Sequence, residues 1–440
     1  MTRSIVGRLD GLRENRTSLY SLHHWSDSAP PSEFWSIAAA TFLFNLGISI
    51  FLFLYNLLML DLGFRERSLG FFSSAMSIGA VAGAFPLGML AVRFGCKRVL
   101  TACLLLAAMA FGARVFLIWT PAQITFSLLD GVVLCGWTAC LSPWVASVVE
   151  ERGLPFAFSL LFATAVVGGS LGGFVGGHMP EWCRWAAEHM GAAISPIQGE
   201  RITLAGASAI ISLAALPLAR LANDSVPQAR LRLPMPSPFL VRFLVATACW
   251  GVAMGALNPF VNVLFSHYLR MATPRLGSLF SLTQLAGAAA VLLVPVLLRR
   301  TGLLPGILVI QLASAAFLGW ISCGQGLLQI ELAYCGFMAA QLMCAPAIQT
   351  LLMNRVAPQE RSNAAAMSFL VLSVAQSVAA AAAGVAFTRF YYAHVIASIA
   401  FVAAVAAVAF RLLCDGSDDP RPVCLSVAVP SETIPLALRP

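Results

Sequence analysis

The residues Gly88 to Arg98, GMLAVRFGCKR, form a short basic stretch between two long apolar runs. About 20 apolar residues are needed to cross the hydrocarbon core of a membrane, and the runs on both sides reach that length. Glycine permits a tight turn, while arginine and lysine are scarce inside lipid and common in cytoplasmic loops. The stretch therefore predicts a tight turn at the cytoplasmic face, between two membrane-spanning helices.

The composition of the whole chain is that of a membrane protein. Of its 440 residues, 59% are hydrophobic and only 10% are charged, whereas a soluble domain carries about 25% charged residues. Apolar runs alternate with short polar breaks about twelve times. We therefore predict an all-α integral membrane protein with twelve transmembrane helices.

The sequence carries no recognisable signature of enzymatic or metal chemistry. It contains no G-x-x-x-x-G-K-[ST] phosphate loop, no Cys/His spacing suited to zinc, and no recognisable nucleophile and base. We expect no enzymatic activity, no catalytic residues, no cofactor and no bound metal.

The net charge of +8 follows membrane topology rather than a nucleic-acid surface. With both termini inside, nineteen of the 27 basic residues fall on the inner face, seven on the outer face, and Arg114 within a span. The outer set is Arg65, Arg67, Arg184, Arg201, Arg270, Arg275 and Arg389. We predict a monomer in the cell inner membrane with cytoplasmic termini and no nucleic-acid partner.

The polar breaks divide the chain into two bundles. The predicted units are a cytoplasmic N-terminal tail (1–34), an N-terminal six-helix bundle (35–219), a cytoplasmic linker (220–238), a C-terminal six-helix bundle (239–413) and a cytoplasmic C-terminal tail (414–440). Several features recur between the halves at nearly one offset, which is difficult to produce by chance. The pairs are Arg93 and Gly95 with Arg300 and Gly302, Asn56 with Asn262, and Glu151 and Arg152 with Glu360 and Arg361.

The basic turn also resembles the signature of the major facilitator superfamily, G-x-L-x-D-R-x-G-R-[RK], between its second and third helices. The matching positions are Gly88, Leu90, Arg93, Gly95 and Lys97, while Val92 and Cys96 depart from the pattern. The resemblance implies two pseudo-symmetric six-helix bundles that rock about a central site. It also implies a cytoplasmic gate, for which the candidates are Gly88, Arg93, Gly95, Lys97, Arg98, Glu151, Arg152, Arg299, Arg300, Gly302, Glu360 and Arg361.

The departure at Val92 bears on how this gate closes. In the family, the acid at this position helps to latch the cytoplasmic side, which a valine cannot do. We predict that Arg93 instead pairs with Glu150 or Glu151, or caps the carbonyls of a neighbouring helix. Gly88 is expected to allow close helix packing and Gly95 a tight turn.

Two acidic residues fall inside predicted spans, where ionisable groups are costly and usually functional. Asp130 lies in span 4, and Glu331 lies at a similar place in span 10. We predict that both are proton-coupling residues. The alternative is that each reaches outside water or pairs with a nearby cation, such as Arg114 for Asp130.

Uncharged polar and aromatic residues cluster in the spans that line the cavity of the resembled fold. The predicted cavity residues are Asn45, Tyr55, Asn56, Trp137, Asn258, Asn262, Gln284, Tyr334, Gln341 and Gln376. Hydrogen bonding between helices is the alternative role for any one of the amides. With no cation deep in spans 1, 4, 7 or 10, a strongly anionic substrate is not expected.

Span 5 bears on the direction of transport. Gly172 to Gly177 resembles the G-P-x-x-G-G pattern of drug:proton antiporters in this superfamily, with glycine in place of proline. The predicted function is proton-coupled export of a small amphipathic or neutral molecule. Import of a neutral nutrient such as a sugar is the alternative, and a transporter-like sensor that moves no substrate is a third.

Overall fold

The structure is a computed structural model that describes residues 32–150, 153–221, 237–357 and 360–415. The greater part of both predicted tails and of the linker lies outside these residues, as do Glu151 and Arg152. The described chain is helical throughout, with turns between the helices and no strand. The prediction of an all-α membrane protein is confirmed.

Twelve helices follow one another along the chain. They are α1 (Ser32–Asp61), α2 (Glu66–Phe94), α3 (Cys96–Phe116), α4 (Thr120–Val148), α5 (Leu154–His189), α6 (Pro196–Ala219), α7 (Pro238–Tyr268), α8 (Thr273–Val291 and Val294–Thr301), α9 (Leu303–Cys323), α10 (Leu327–Arg355), α11 (Arg361–Arg389) and α12 (Tyr392–Cys414). Eleven are long and apolar enough to cross a membrane, and the two segments of α8, bent by 45°, make a twelfth. Helices satisfy their own backbone hydrogen bonds, so they can cross lipid without polar partners.

Prolines explain the two irregular helices. In α7, regular helix ends at Leu257, and Pro259 lies in a 3₁₀ turn that is followed by a π-helical segment, Leu264–Tyr268. In α8, Pro295 lies just after the bend. Proline has no backbone N–H and clashes with the preceding turn, so regular helix is interrupted at both places.

Two glycines in corresponding positions make the tight turns at one end of the molecule. Gly95, between α2 and α3, and Gly302, between α8 and α9, both have φ of 86°, a conformation that favours glycine. The tight turn predicted at Gly95 is confirmed. The prediction for Gly88 is wrong in this state, because a Cβ added there would meet no atom within 4 Å.

Helices α1–α6 and α7–α12 form the two bundles, which meet where α2 packs against α11 and α5 against α8. We call the end that carries the α1–α2 turn, residues 62–65, the outer end, and the end that carries Gly95 the inner end, following the charge-bias prediction. The hydrogen bonds seen between the bundles among the described residues lie near the middle or in the outer half of their helices. The molecule is therefore closed at its outer end.

Candidate substrate cavity

A cavity of about 260 Å³ lies between the bundles, beneath the closed outer end. Its walls come from α1, α2, α3, α7 and α11. Five predicted cavity residues line it: Tyr55, Asn56, Asn258, Asn262 and Gln376. Apolar side chains such as Phe51, Phe72 and Met76 make much of the remaining wall. A small number of convergent polar groups in a largely apolar wall is typical of a small-molecule site.

Two asparagines close this cavity by bonding across the bundles. The Asn56 amide on α1 donates to the Pro259 carbonyl on α7 (2.7 Å), and the Asn262 amide on α7 donates to the Phe53 carbonyl on α1 (2.8 Å). The irregular backbone around Pro259 leaves its carbonyl available to Asn56. Each bond contributes about 0.5–1.5 kcal/mol to the closed state.

A buried ion pair forms part of the cavity wall. Arg114 on α3 donates from Nη1 to Oδ2 of Asp130 on α4 at 2.5 Å, and the side chains are 4% and 0% exposed. Arg114 lines the cavity, and its guanidinium stacks 4.0 Å above the Tyr55 ring. Asp130 Oδ1 is buried and has no hydrogen-bond partner among the described residues. Arg114 is thus the partner of Asp130, and the sequence analysis missed its place on the cavity wall.

Gln123, which was not predicted from the sequence, bonds to both Tyr55 and Arg114. Its side-chain oxygen accepts from the Tyr55 hydroxyl (2.6 Å) and from Arg114 Nε (3.3 Å). Its side-chain nitrogen donates to the carbonyls of Arg114 and Leu117, both at 2.8 Å. Gln123 is fully buried. One amide therefore fixes both the aromatic ring and the cation of the site.

Glu331 lies away from the cavity, so the structure gives no support to its prediction as a second coupling residue. Its carboxylate accepts two hydrogen bonds from Arg275 on α8, at 2.8 and 3.1 Å, near the outer end. The Arg275 side chain is 54% exposed. Glu331 therefore pairs with a nearby cation, which is the alternative role predicted for it.

The other predicted cavity residues lie outside the lining, where neighbouring groups engage them. Asn45 donates to the Thr41 carbonyl of its own helix (2.8 Å), and Gln284 faces Gly169 of α5. Trp137 stacks on Phe44 with ring centres 4.2 Å apart, and Tyr334 packs against Phe265 at 5.2 Å. Gln341 reaches the wall only indirectly, by donating to Asn258 (3.3 Å).

A comparison of the sequence with protein-family models identifies the family of this chain. The family model described as Major Facilitator Superfamily matches residues 37–380, well over half of the chain. This chain belongs to the Major Facilitator Superfamily. No curated protein matches it in sequence.

Several solved superfamily structures share its fold. The nucleoside transporter NupG has a TM-score of 0.70 at 15% identity, covering 87% of this chain and 99% of its own. A bacterial homolog of the human lysosomal transporter Spinster, inward-facing and unoccupied, has a TM-score of 0.70 at 12% identity, covering 88% and 98%. The inward-open xylose transporter XylE from E. coli has a TM-score of 0.66 at 12% identity, covering 86% and 94%. Identities this low show the fold alone.

The turn between α2 and α3 does not form the predicted ion pair between Arg93 and Glu150 in this state. Arg93 is exposed and lies 5.2 Å from the centre of the Phe94 ring, while Glu150 is also exposed and is not its partner; Glu151 lies outside the described residues. Lys97 performs the capping predicted for Arg93, because its ammonium donates to the carbonyls of Ala219 (3.3 Å) and Leu221 at the end of α6. Neither Arg93 nor Glu150 forms an ion pair with another described residue.

The remaining gate candidates stand at the inner ends of helices. Arg98 begins α3, Arg299 and Arg300 end α8, and Glu360 and Arg361 begin α11. The four arginines are exposed. No ion pair joins any of these five residues to another described residue, so their role in the gate stays a prediction.

The serines that bond the two bundles to each other were not predicted from the sequence. Ser74 bonds Ser377 at 2.7 Å across the α2–α11 contact, and Ser170 bonds Ser281 at 2.6 Å across the α5–α8 contact. In the sequence, Ser74 and Ser281 are 207 positions apart, as are Ser170 and Ser377. The same offset relates Gly95 to Gly302. A search for small residues at that offset would have found both seals.

Proposed function

We propose that this superfamily member is a secondary active transporter that works by alternating access and uses the proton as its coupling ion. The observation that supports this most directly is the buried Arg114–Asp130 pair on the cavity wall. A buried charge is costly unless it is paired, so Asp130 and Arg114 depend on each other. Protonation of Asp130 frees Arg114 and changes the charge on the cavity wall. The proton thereby alters the affinity of the cavity for substrate and the balance between the two bundle arrangements.

The proposed substrate is a small neutral or amphipathic molecule. The cavity of about 260 Å³ admits only a small solute. The amides of Asn258 and Gln376 offer donors and acceptors, and the wall beside them is apolar. Export is the proposed direction, from the resemblance of Gly172 to Gly177 to the antiporter pattern. We further propose a monomer in the cytoplasmic membrane, with both termini inside.

Import of a neutral nutrient is the second candidate. The lining rich in amides favours a molecule that carries hydroxyl groups, because amides both donate to and accept from hydroxyls. Two structurally similar proteins are named as a nucleoside transporter and a xylose transporter. A driven flux toward the cytoplasm would select this candidate over export.

The test is substrate movement in membrane vesicles with an imposed pH gradient, in both orientations, for the wild type and Asp130→Asn. A panel of dyes, sugars and nucleosides serves as substrates. We expect movement driven by the gradient in the wild type and its loss in Asp130→Asn, because the amide cannot exchange a proton. Equal gradient-driven movement in both proteins would contradict coupling at Asp130.

Glu331→Gln is the matched control. This substitution also removes a carboxylate from a helix long enough to span the membrane, but one that pairs with Arg275 away from the cavity. Dependence on the gradient should survive in this variant. An equal loss in Glu331→Gln would mean that the assay reports general damage rather than coupling.

A further inference from the structure

A second cleft opens at the outer end, where the α1–α2 turn approaches the end of α11. Its volume is about 500 Å³. The polar residues that line it are Arg65, Arg67, Ser68, Thr388 and Arg389, and we call it the arginine cleft. None of its lining residues is acidic, and it shares no lining residue with the substrate cavity.

The three cations of the arginine cleft have no carboxylate partner among the described residues. Glu66 lies between two of them in sequence, but its carboxylate accepts a hydrogen bond from the Tyr392 hydroxyl (3.1 Å). Asp61, the next acid at this end, lies 3.5 Å from His267. Three like charges around one cleft repel each other, and arginine is otherwise disfavoured on the outer face of a membrane protein. An anion in the cleft would offset this repulsion.

We propose that the arginine cleft binds a phosphate group, either as a free ion or as part of a lipid headgroup. Guanidinium groups bind phosphate through paired hydrogen bonds, and three of them surround one space here. The hydroxyls of Ser68 and Thr388 are further donors at the same cleft. The positive end of the α2 dipole adds to the attraction, because α2 begins at Glu66.

Phosphate in this cleft acts on the transport cycle, because both bundles build it. Arg65, Arg67 and Ser68 belong to the N-terminal bundle, whereas Thr388 and Arg389 belong to the C-terminal bundle. The cleft is complete only while the outer ends are together. Bound phosphate therefore favours the outer-closed state, and the repulsion between the arginines favours opening when the cleft is empty. This regulation does not depend on the identity of the substrate or on proton coupling.

The test is amide hydrogen exchange of the purified protein in neutral detergent, with inorganic phosphate against chloride at equal ionic strength. Phosphate should slow exchange in residues 63–72 and 380–392, by about tenfold at ten times its dissociation constant. The protection should disappear in the double variant Arg65→Gln, Arg389→Gln, and weaken in Arg67→Gln alone. Arg270→Gln removes an exposed arginine at the same end but outside the cleft. This variant should keep the protection by phosphate.

A second arm separates the two sources of phosphate. The same exchange is measured in bilayer discs of phosphatidylglycerol and in discs of a neutral galactolipid that contains no phosphate. Protection by inorganic phosphate in detergent assigns the free ion, and protection by phosphatidylglycerol alone assigns the headgroup.

The proposal is overturned if neither phosphate source protects the outer end, if the double variant keeps full protection, or if Arg270→Gln loses as much. Because exchange is measured without substrate or a pH gradient, a negative result here leaves the proposed transport function untouched. A failed transport assay likewise leaves this site untouched.

Discussion

Gln123 shows how one residue can position a charged site without touching the cavity. Its amide makes four hydrogen bonds, two to side chains of the site and two to backbone carbonyls where α3 ends. Arg114 and Tyr55 both depend on its single oxygen. The geometry of the ion pair thus rests on a neutral side chain.

We predict that Gln123→Leu lowers stability and weakens substrate binding. Leucine fills a similar volume but leaves buried donors and acceptors without partners, at about 1–3 kcal/mol for each buried group left unsatisfied. The melting temperature should fall by several degrees, and KM should rise because Arg114 loses its orientation. Thermal unfolding in detergent and initial transport rates measure the two effects.

Gln329→Leu is the control for this substitution, because Gln329 is exposed near the start of α10. Gln329→Leu should leave the melting temperature and KM close to the wild-type values. A Gln123→Leu variant with an unchanged KM would show that Arg114 does not need this anchor.

The sequence could reveal Asp130 but not Gln123. An acid within a long apolar run stands out, since a buried carboxylate needs a reason. Glutamine near the start of a span resembles any residue at the membrane surface. Its importance arises from the turn between α3 and α4, which folds it back onto Arg114, and spacing alone cannot predict such a contact.

At the scale of elements, α5 presents two rows of glycine to two different helices. Gly168, Gly172 and Gly176 lie against α1 within the N-terminal bundle. Gly169, Gly173 and Gly177 face α8 in the other bundle. Helix α5 therefore packs closely both within its own bundle and between the bundles, on adjacent faces.

We predict that Gly177→Val slows transport by at least about tenfold, because each turnover requires the outer end to close. A Cβ at this position would lie 2.7 Å from Gly277 Cα and 2.9 Å from the Thr273 carbonyl oxygen. Both are backbone atoms and cannot turn aside, so the bundles must separate at the outer end. Slower turnover in vesicles would show the effect on transport, and faster amide hydrogen exchange at the outer end would show that the bundles separate there.

Gly206→Val is the matched control on α6, since a Cβ added at Gly206 meets no atom within 4 Å. It should transport at the wild-type rate. If Gly177→Val also transported at that rate, the α5–α8 contact would not limit the cycle.

The twelve spans could be predicted from the sequence because hydrophobic length decides them. The breaks within them were less evident. Pro259 and Pro295 were visible, yet a proline within a span specifies only that regular helix is disturbed. That the Pro259 carbonyl of α7 accepts a hydrogen bond from Asn56 depends on the packing of α1 against α7, which the proline alone does not predict.

At the scale of the whole molecule, the described residues join the two bundles toward the outer end. Alternating access requires the reverse arrangement as well, in which the inner ends meet. Arg93 and Glu150 are both exposed in the present state, so they remain free to pair in the other. Pairing of Arg93 with Glu150 within the N-terminal bundle in the outer-open state therefore stays a prediction.

We predict that Arg93→Glu and Glu150→Arg each reduce the transport rate, and that combining them restores it. Each single change places two like charges together in the outer-open state and destabilises it, whereas the double change recreates an attraction of opposite sign. Transport rates of the four proteins form a double-mutant cycle. Additive losses in the double variant would mean that the two residues never meet.

The reciprocal bonds of Asn56 and Asn262 have a consequence for the symmetry of the molecule. Each half supplies one amide donor and one carbonyl acceptor from equivalent positions, so the contact has the isologous form of a two-fold dimer. Two identical six-helix proteins could satisfy the same pair of bonds with a single sequence. The interface thus has the bonding pattern that a homodimer of two six-helix proteins would show. The ion pair of Arg114 and Asp130 breaks this symmetry, because both of its residues belong to the N-terminal bundle.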